Sequence, residues 1–244
     1  MALLDVVDVS RSFDGIVAID HVSFGVAPGA IVGLIGPNGA GKTTMFNLIT
    51  RLYRPQGGDI RFEGESLLSG RPWRVIGRGI ARTFQNVELF KTMTVRENVL
   101  VGAHTRGFRR ENELRRGADE VMEYVGVREV AERPVAGLPF ATLKRVEIAR
   151  ALVSRPKLLL LDEPAGGLHH EQVRELGRFI QRLRRDFELT ILLVEHHMNL
   201  VMAVSESVHV LDFGRLIASG TPRQVRQDPA VIEAYLGAED DAAP

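Results

Sequence analysis

The run Gly36-Pro37-Asn38-Gly39-Ala40-Gly41-Lys42-Thr43-Thr44 has the residue types and spacing of a phosphate-binding loop. Its glycines let successive backbone N–H groups turn toward an anion. A helix starting after Gly41 adds partial positive charge at the same place. Lys42 can reach β- and γ-phosphates, and the Thr43 hydroxyl can ligate Mg²⁺, so the ligand that fits is ATP with its magnesium. Hydrolysis also needs a metal ligand and an oriented water. Leu158-Leu159-Leu160-Leu161-Asp162-Glu163 supplies both at the end of an apolar strand: Asp162 to hold Mg²⁺ through its water shell, Glu163 to accept a proton from the attacking water.

Three further residues sit where they could assist. His196 follows the strand Ile191–Val194 and Glu195, and could hydrogen-bond the γ-phosphate. Gln85 ends the strand Gly79–Thr83 and could touch the metal-bound water; the alternative is a solvated loop amide. Phe13, in a loop after the first strand, could stack on adenine or simply pack. The pairs His169-His170 and His196-His197 do not suggest zinc, because adjacent side chains point apart and no thiolate is available.

These residues need a sheet edge to bring them together. Ile31–Ile35, Leu158–Leu161 and Ile191–Val194 are continuous apolar runs, as strands covered on both faces are. Val6–Val9 and Val22–Val26 alternate in part, as half-exposed antiparallel strands do. Helical spacing appears in Lys42–Thr50 and Glu171–Arg185, which gives an α/β fold with a mainly parallel sheet. From Val95 to Arg155 no strand is evident, and Glu111–Val125 and Leu143–Val153 have helical patterns. This predicts a helical lobe at 87–156, inserted between core segments 1–86 and 157–237, with an acidic, frayed tail at 238–244.

Composition narrows the function classes. Thirty-one basic residues balance 31 acidic ones, which argues against a nucleic-acid binder relying on a whole-surface positive field. The chain has no cysteine, which removes disulfides and thiol nucleophiles. The longest aliphatic runs are far short of the ~20 residues that a spanning helix needs. Met1 to Ser10 has no basic residue, so it is not expected to be a signal peptide. Work at a membrane would therefore require a partner.

Taken in order, Phe13, the loop Gly36–Thr44, Gln85, the helical lobe, Asp162-Glu163 and His196 resemble the ATP-binding cassette (ABC) ATPases over nearly the whole chain. The resemblance implies a P-loop NTPase with a RecA-like core, an antiparallel β subdomain and an inserted helical subdomain. More narrowly, the chain resembles the ATP-binding subunits of branched-chain amino-acid importers. The stretches that carry this are Arg82–Asn86, Met93–Val99, Arg145–Leu152, Asp162–Leu168 and Ala234-Tyr235-Leu236-Gly237. It implies a peripheral subunit on the cytoplasmic face of the membrane that pairs head to tail with a second ATP-binding subunit, identical or not. It would dock on integral membrane permeases through the groove after Gln85 and serve an external solute-binding protein indirectly. Lipopolysaccharide-export ATPases are similar in length and ending.

Two places depart from the family. The signature segment, normally Leu-Ser-Gly-Gly-Gln, is Leu138-Pro139-Phe140-Ala141-Thr142 here. Its helix N-terminus should still face the partner subunit's nucleotide, but the serine hydroxyl is gone; a hydrogen bond to a charged group is worth roughly 1.5–3 kcal/mol. Ala141 would be strained if its backbone needs φ > 0, and Thr142 is suited to cap a helix beginning at Leu143. His169 stands where the family usually has Asp or Asn. Three functions follow: a transport ATPase subunit, a soluble ATPase of the same fold, or an ATP-binding regulatory subunit with weak hydrolysis. One cassette and no heptad run disfavour the second; the changed signature supports the third, while intact Glu163 and His196 oppose it.

Overall fold

The computed structural model describes residues 2–104 and 111–240, with side chains as far as Tyr235. In chain order the elements are β1 (Leu4–Phe13), β2 (Ile16–Val26), β3 (Ile31–Ile35), α1 (Lys42–Ile49), β4 (Gly57–Phe62), β5 (Glu65–Ser66) and β6 (Ile80–Arg82). Then follow α2 (Val95–Ala103), α3 (Glu111–Val125), α4 (Phe140–Leu152), β7 (Leu158–Asp162), α5 (His170–Asp186) and β8 (Thr190–Val194). The chain continues through α6 (Met198–Val204), β9 (Ser207–Asp212), β10 (Arg215–Gly220), α7 (Pro222–Arg226) and α8 (Pro229–Asp240). No helix among the described residues is long and apolar enough to cross a membrane.

The chain forms two compact units, Met1–Val75 with Leu160–Pro244, and Ile76–Leu159. The first holds an antiparallel sheet in the order β2-β1-β4-β5 and a second sheet in which β10-β9-β3-β8-β7 are neighbours. Within the latter β3 runs parallel to both β8 and β9, with Ile31 opposite Ile191 and Val32 opposite Ser207, and β10 closes the edge antiparallel to β9. All five residues of β3, β7 and β8 are buried, which is why their apolar runs do not alternate. Phe13 is the last residue of β1, not part of a loop, because the β1–β2 pairing extends to Phe13 opposite Ile16. The acidic segment begins as helix: residues 238–240 continue α8, and 241–244 lie outside the described residues.

His209, on β9, ties the two sheets. Its Nε2 lies 3.3 Å from Gly25 O and its Nδ1 2.8 Å from Ser219 Oγ. A carbonyl only accepts, so Nε2 carries the proton, and the neutral ring accepts from Ser219 at Nδ1. Burial pushes this imidazole below its ordinary range, partly offset by the Gly25 carbonyl.

The second unit takes in β6 and Gln85 as well as the helices. Gly79 O accepts the Lys157 and Leu158 N–H groups (2.8 and 3.0 Å), which lays β6 beside the start of β7. Helix α2 opens on a capping box: Thr94 Oγ1 accepts Glu97 N–H (3.2 Å) and Glu97 Oε2 accepts Thr94 N–H (2.7 Å). Further along α2, Gly102 faces α4 so closely that a Cβ there would lie 1.9 Å from Arg150 O.

Two measurements check this packing. Gly102→Ala should lower unfolding stability by about 1–3 kcal/mol, since the α2 and α4 backbones must part. Gly117→Ala, in α3 with open space around it, should raise it by about 0.5–1 kcal/mol; urea midpoints of the two variants should move in opposite directions. For His209 the folded chain resists protonation, whereas the unfolded chain takes a proton below about pH 6.5. The contribution of His209 to stability is therefore complete above that pH and falls as the pH drops through it. His209→Gln should flatten the decline in unfolding free energy as the pH falls below about 6.5.

Candidate active site

The loop Gly36–Gly41 leaves β3 and enters α1 with three glycines at positive φ: Gly36 (151°), Gly39 (80°) and Gly41 (103°). Two of them are also crowded. A Cβ on Gly36 would meet Leu211 O at 2.0 Å, and one on Gly41 would meet Ala18 O at 2.6 Å. The turn after β9 holds the loop through backbone alone: Gly214 N–H donates to Ala40 O (3.0 Å), and Gly214 O accepts Asp20 N–H (2.8 Å). Gly41 is the N-cap of α1, and the first turn of α1 has no acidic residue, so its N–H groups and dipole are available to an anion.

Lys42 is 6% exposed and folds back over the loop, with Nζ donating to Gly36 O and Pro37 O, each at 2.7 Å. Burial pushes its pKa down; the carboxylates of Glu163 and Asp162 pull it up. Thr43 is exposed and Thr44 half-buried, while Asn38 and Gly39 stand out at the tip and Ala40 is buried. Asp162 closes β7 at 1% exposure. Glu163 follows with φ 44°, its N–H donating to Val194 O (2.9 Å). This left-handed turn sets Glu163 where β7 and β8 both end. His196 Nδ1 lies 3.6 Å from Glu163 Oε2. The loop, Asp162, Glu163 and His196 thus meet at one edge of one sheet.

Glu195 escaped the sequence reasoning. It is fully buried and serves as a local organiser. Its Oε1 accepts Ala165 N–H (2.6 Å), and its Oε2 accepts the N–H groups of His196 (3.1 Å) and His197 (3.3 Å). Burial pushes this carboxyl up, and the N–H groups hold it down. The signal was an acid continuing a fully apolar strand. The expectation that His196 and His197 point apart is corrected: their rings lie 4.5 Å apart, since Glu195 gathers both backbones toward itself. Tyr235, on α8, buries its hydroxyl; burial pushes the phenol up to about 12, and the Gly36 N–H pulls it back.

Phe13 is half-buried, with Tyr53 edge-on at 5.0 Å and the Arg11 guanidinium 4.5 Å over its ring. His169 is the N-cap of α5, and Gln172 Oε1 accepts its N–H (3.0 Å).

Gln85 and Leu138–Thr142 belong to the second unit. Gln85 is exposed. Helix α4 begins at Phe140 with Pro139 as N-cap and no side-chain cap, which corrects the expected start at Leu143 and the capping role of Thr142. Pro139 sets the start instead: its carbonyl accepts the Thr142 and Leu143 N–H groups (2.9 and 3.1 Å). Ala141 is therefore helical, and the strain expected from a positive φ does not arise. Leu138 is buried, while Pro139, Phe140 and Ala141 are exposed.

The "ABC transporter" family profile matches residues 19–166, and a second profile, "Branched-chain amino acid ATP-binding cassette transporter", matches 215–241. The chain is 42% identical to the high-affinity branched-chain amino acid transport ATP-binding protein BraF of Pseudomonas aeruginosa, over 96% of this chain and 98% of that protein. It is 43% identical, with the same coverage, to LivG of Escherichia coli, which carries the same description. The lipopolysaccharide export system ATP-binding protein LptB of Haemophilus influenzae is 34% identical over 97% of this chain and 98% of its own length. Among solved structures, the ADP conformation of MJ1267, an ATP-binding cassette of an ABC transporter, superposes with a TM-score of 0.88 at 30% identity, covering 97% of this chain and 99% of the other. The chain belongs to the ABC transporter ATP-binding proteins, in their branched-chain amino acid transport family, and is an ATPase of that fold.

Proposed function

We propose that this ATPase powers a membrane importer of branched-chain amino acids, acting as a peripheral subunit on the cytoplasmic face, docked on permease subunits and paired with a second ATP-binding subunit. The observation that carries the energetic half is the meeting of Lys42, Asp162, Glu163 and His196 at one sheet edge. What favours amino-acid import over lipopolysaccharide export is the higher identity to the amino-acid transport protein LivG, 43% against 34% for LptB, together with the match at 215–241.

In this reading the Gly36–Gly41 N–H groups and Lys42 bind the phosphates of ATP, and Phe13 holds the adenine. Mg²⁺ fits the donor set, since Thr43, Asp162 and Gln85 offer only hard oxygen ligands; when bound it neutralises phosphate charge. Thr43 would hold it directly and Asp162 through water, with Gln85 touching its water shell. Glu163 accepts the proton of the attacking water, and His196, oriented through the backbone contacts of Glu195, hydrogen-bonds the γ-phosphate. Leu138–Thr142 serves the partner subunit's nucleotide through helix N–H groups alone.

Glu163→Gln should lower ATP turnover by about 10²–10⁴-fold while nucleotide affinity is kept; light scattering of that variant should show an Mg-ATP-dependent dimer. Undiminished turnover would remove Glu163 from the mechanism. Gly36→Ala should abolish nucleotide binding altogether, as measured by titration with a fluorescent ATP analogue, because the loop must leave Leu211 O to admit a methyl group. Cells lacking the chain should lose uptake of leucine, isoleucine and valine. A defect in lipopolysaccharide export with uptake intact would favour the export reading.

A further inference from the structure

One face of α4 is spent on a single loop. Lys144 Nζ donates to Phe84 O (3.0 Å) and Gln85 O (2.8 Å). Glu147 Oε1 accepts Phe84 N–H (3.0 Å), and Arg150 Nη1 donates to Glu88 O (2.5 Å). The three side chains are spaced three residues apart and support one another: Lys144 Nζ lies 3.9 Å from Glu147 Oε2, and Arg150 Nη2 lies 3.7 Å from Glu147 Oε1. Their side chains are 11%, 1% and 14% exposed. Burial pushes the Glu147 carboxyl up, against the Phe84 N–H and the two cations. Charges this deep in a protein are costly to desolvate. The loop's polar backbone could have been left to solvent, as loop backbone usually is. Here it is fixed in register by charged groups, which specify direction as well as attraction.

The same helix starts at the signature segment. Phe140–Thr142 form its first turn, and Lys144 Nζ lies 5.6 Å from the Phe140 ring centroid. A helix is stiff over such a distance, rising about 1.5 Å per residue. We propose that Lys144 and Glu147 are positioning residues that make the backbone of Gln85 one body with α4, so that contact at the exposed start of α4 sets the placement of Gln85. The proposal rests on the nucleotide-facing roles given above to Gln85 and Leu138–Thr142. It assigns to the changed signature a route that needs no serine: whatever holds Phe140–Thr142 holds the Gln85 carbonyl through the next helical turn.

The test uses the full chain with Lys144→Met, which keeps the stem and loses the donors, Lys144→Arg, which restores them, and Gln85→Ala as reference. Amide exchange of residues 84–88 and the steady-state kcat and KM for ATP are measured for each. Lys144→Met should speed exchange of the Phe84 amide by about tenfold or more and lower kcat by a similar factor, with KM for ATP unchanged. Lys144→Arg should recover both. Faster exchange with wild-type kcat would reduce the cluster to loop packing and overturn the proposal. So would a kcat loss that Lys144→Arg does not recover, or a rise in KM accompanied by a lowered melting temperature. Should Lys144→Met fail to fold, Glu147→Gln, which keeps an acceptor for Phe84 N–H but loses the charge, is judged by the same criteria. If Gln85→Ala itself turns over like wild type, the role of Gln85 falls and takes the proposal with it; impaired Gln85→Ala beside normal Lys144→Met defeats this inference alone.

Discussion

Everything at the nucleotide edge depends on a backbone packed against backbone. The loop Gly36–Gly41 lies on the carbonyls of Leu211 and Ala18 at separations that leave no room for a Cβ. Gly214 donates to the loop on one side and accepts from β2 on the other. This contact fixes the direction in which the loop's N–H groups point. It also ties the end of β3 to the end of β9, while the β3–β8 ladder sets where β8, and His196 after it, stand. Anion binding by main-chain groups demands this rigidity, because an N–H cannot change rotamer to find its ligand.

The carboxylates follow a division of labour set by burial. Asp162 and Glu195 are each at most 1% exposed, at neighbouring strand ends. Glu195 spends its oxygens on three backbone N–H groups, so it organises the turn after β8. Glu163, at 16% side-chain exposure, is the one with access to water, and its Oε2 lies 3.6 Å from His196 Nδ1. Glu163 and Glu195, the same residue type at adjacent strand ends, thus take different tasks because depth separates them.

The parallel strands and the phosphate loop were legible because their signals are local: continuous apolar runs, and glycines before Lys-Thr. Helix α3 was legible for the same reason, with a strong apolar stripe. The start of α4 is less legible, because a threonine before an apolar run looks like a cap, whereas Pro139 fixes φ and begins the helix three residues earlier. Helix α2 has a weaker apolar pattern, and its sequence signal is the capping box spelled by Thr94-Val95-Arg96-Glu97. Glu195 was invisible in another way: its partners are backbone N–H groups from two separate turns, which no spacing in the sequence reveals. The Lys144–Glu147–Arg150 cluster shares that character, since on a helix these residues look like ordinary surface charges.

The posture of Lys42 has one more consequence. Its ammonium already sits at 6% exposure between two carbonyls of its own loop. Water was stripped from it, and its rotamers were frozen, when the chain folded. An arriving phosphate therefore exchanges neutral oxygens for charged ones around a cation that is dry and aimed beforehand, and most of the ordering entropy has been spent elsewhere. The penalty appears instead as reduced stability of the fold, so this lysine serves as a reserve of binding energy held in the resting protein.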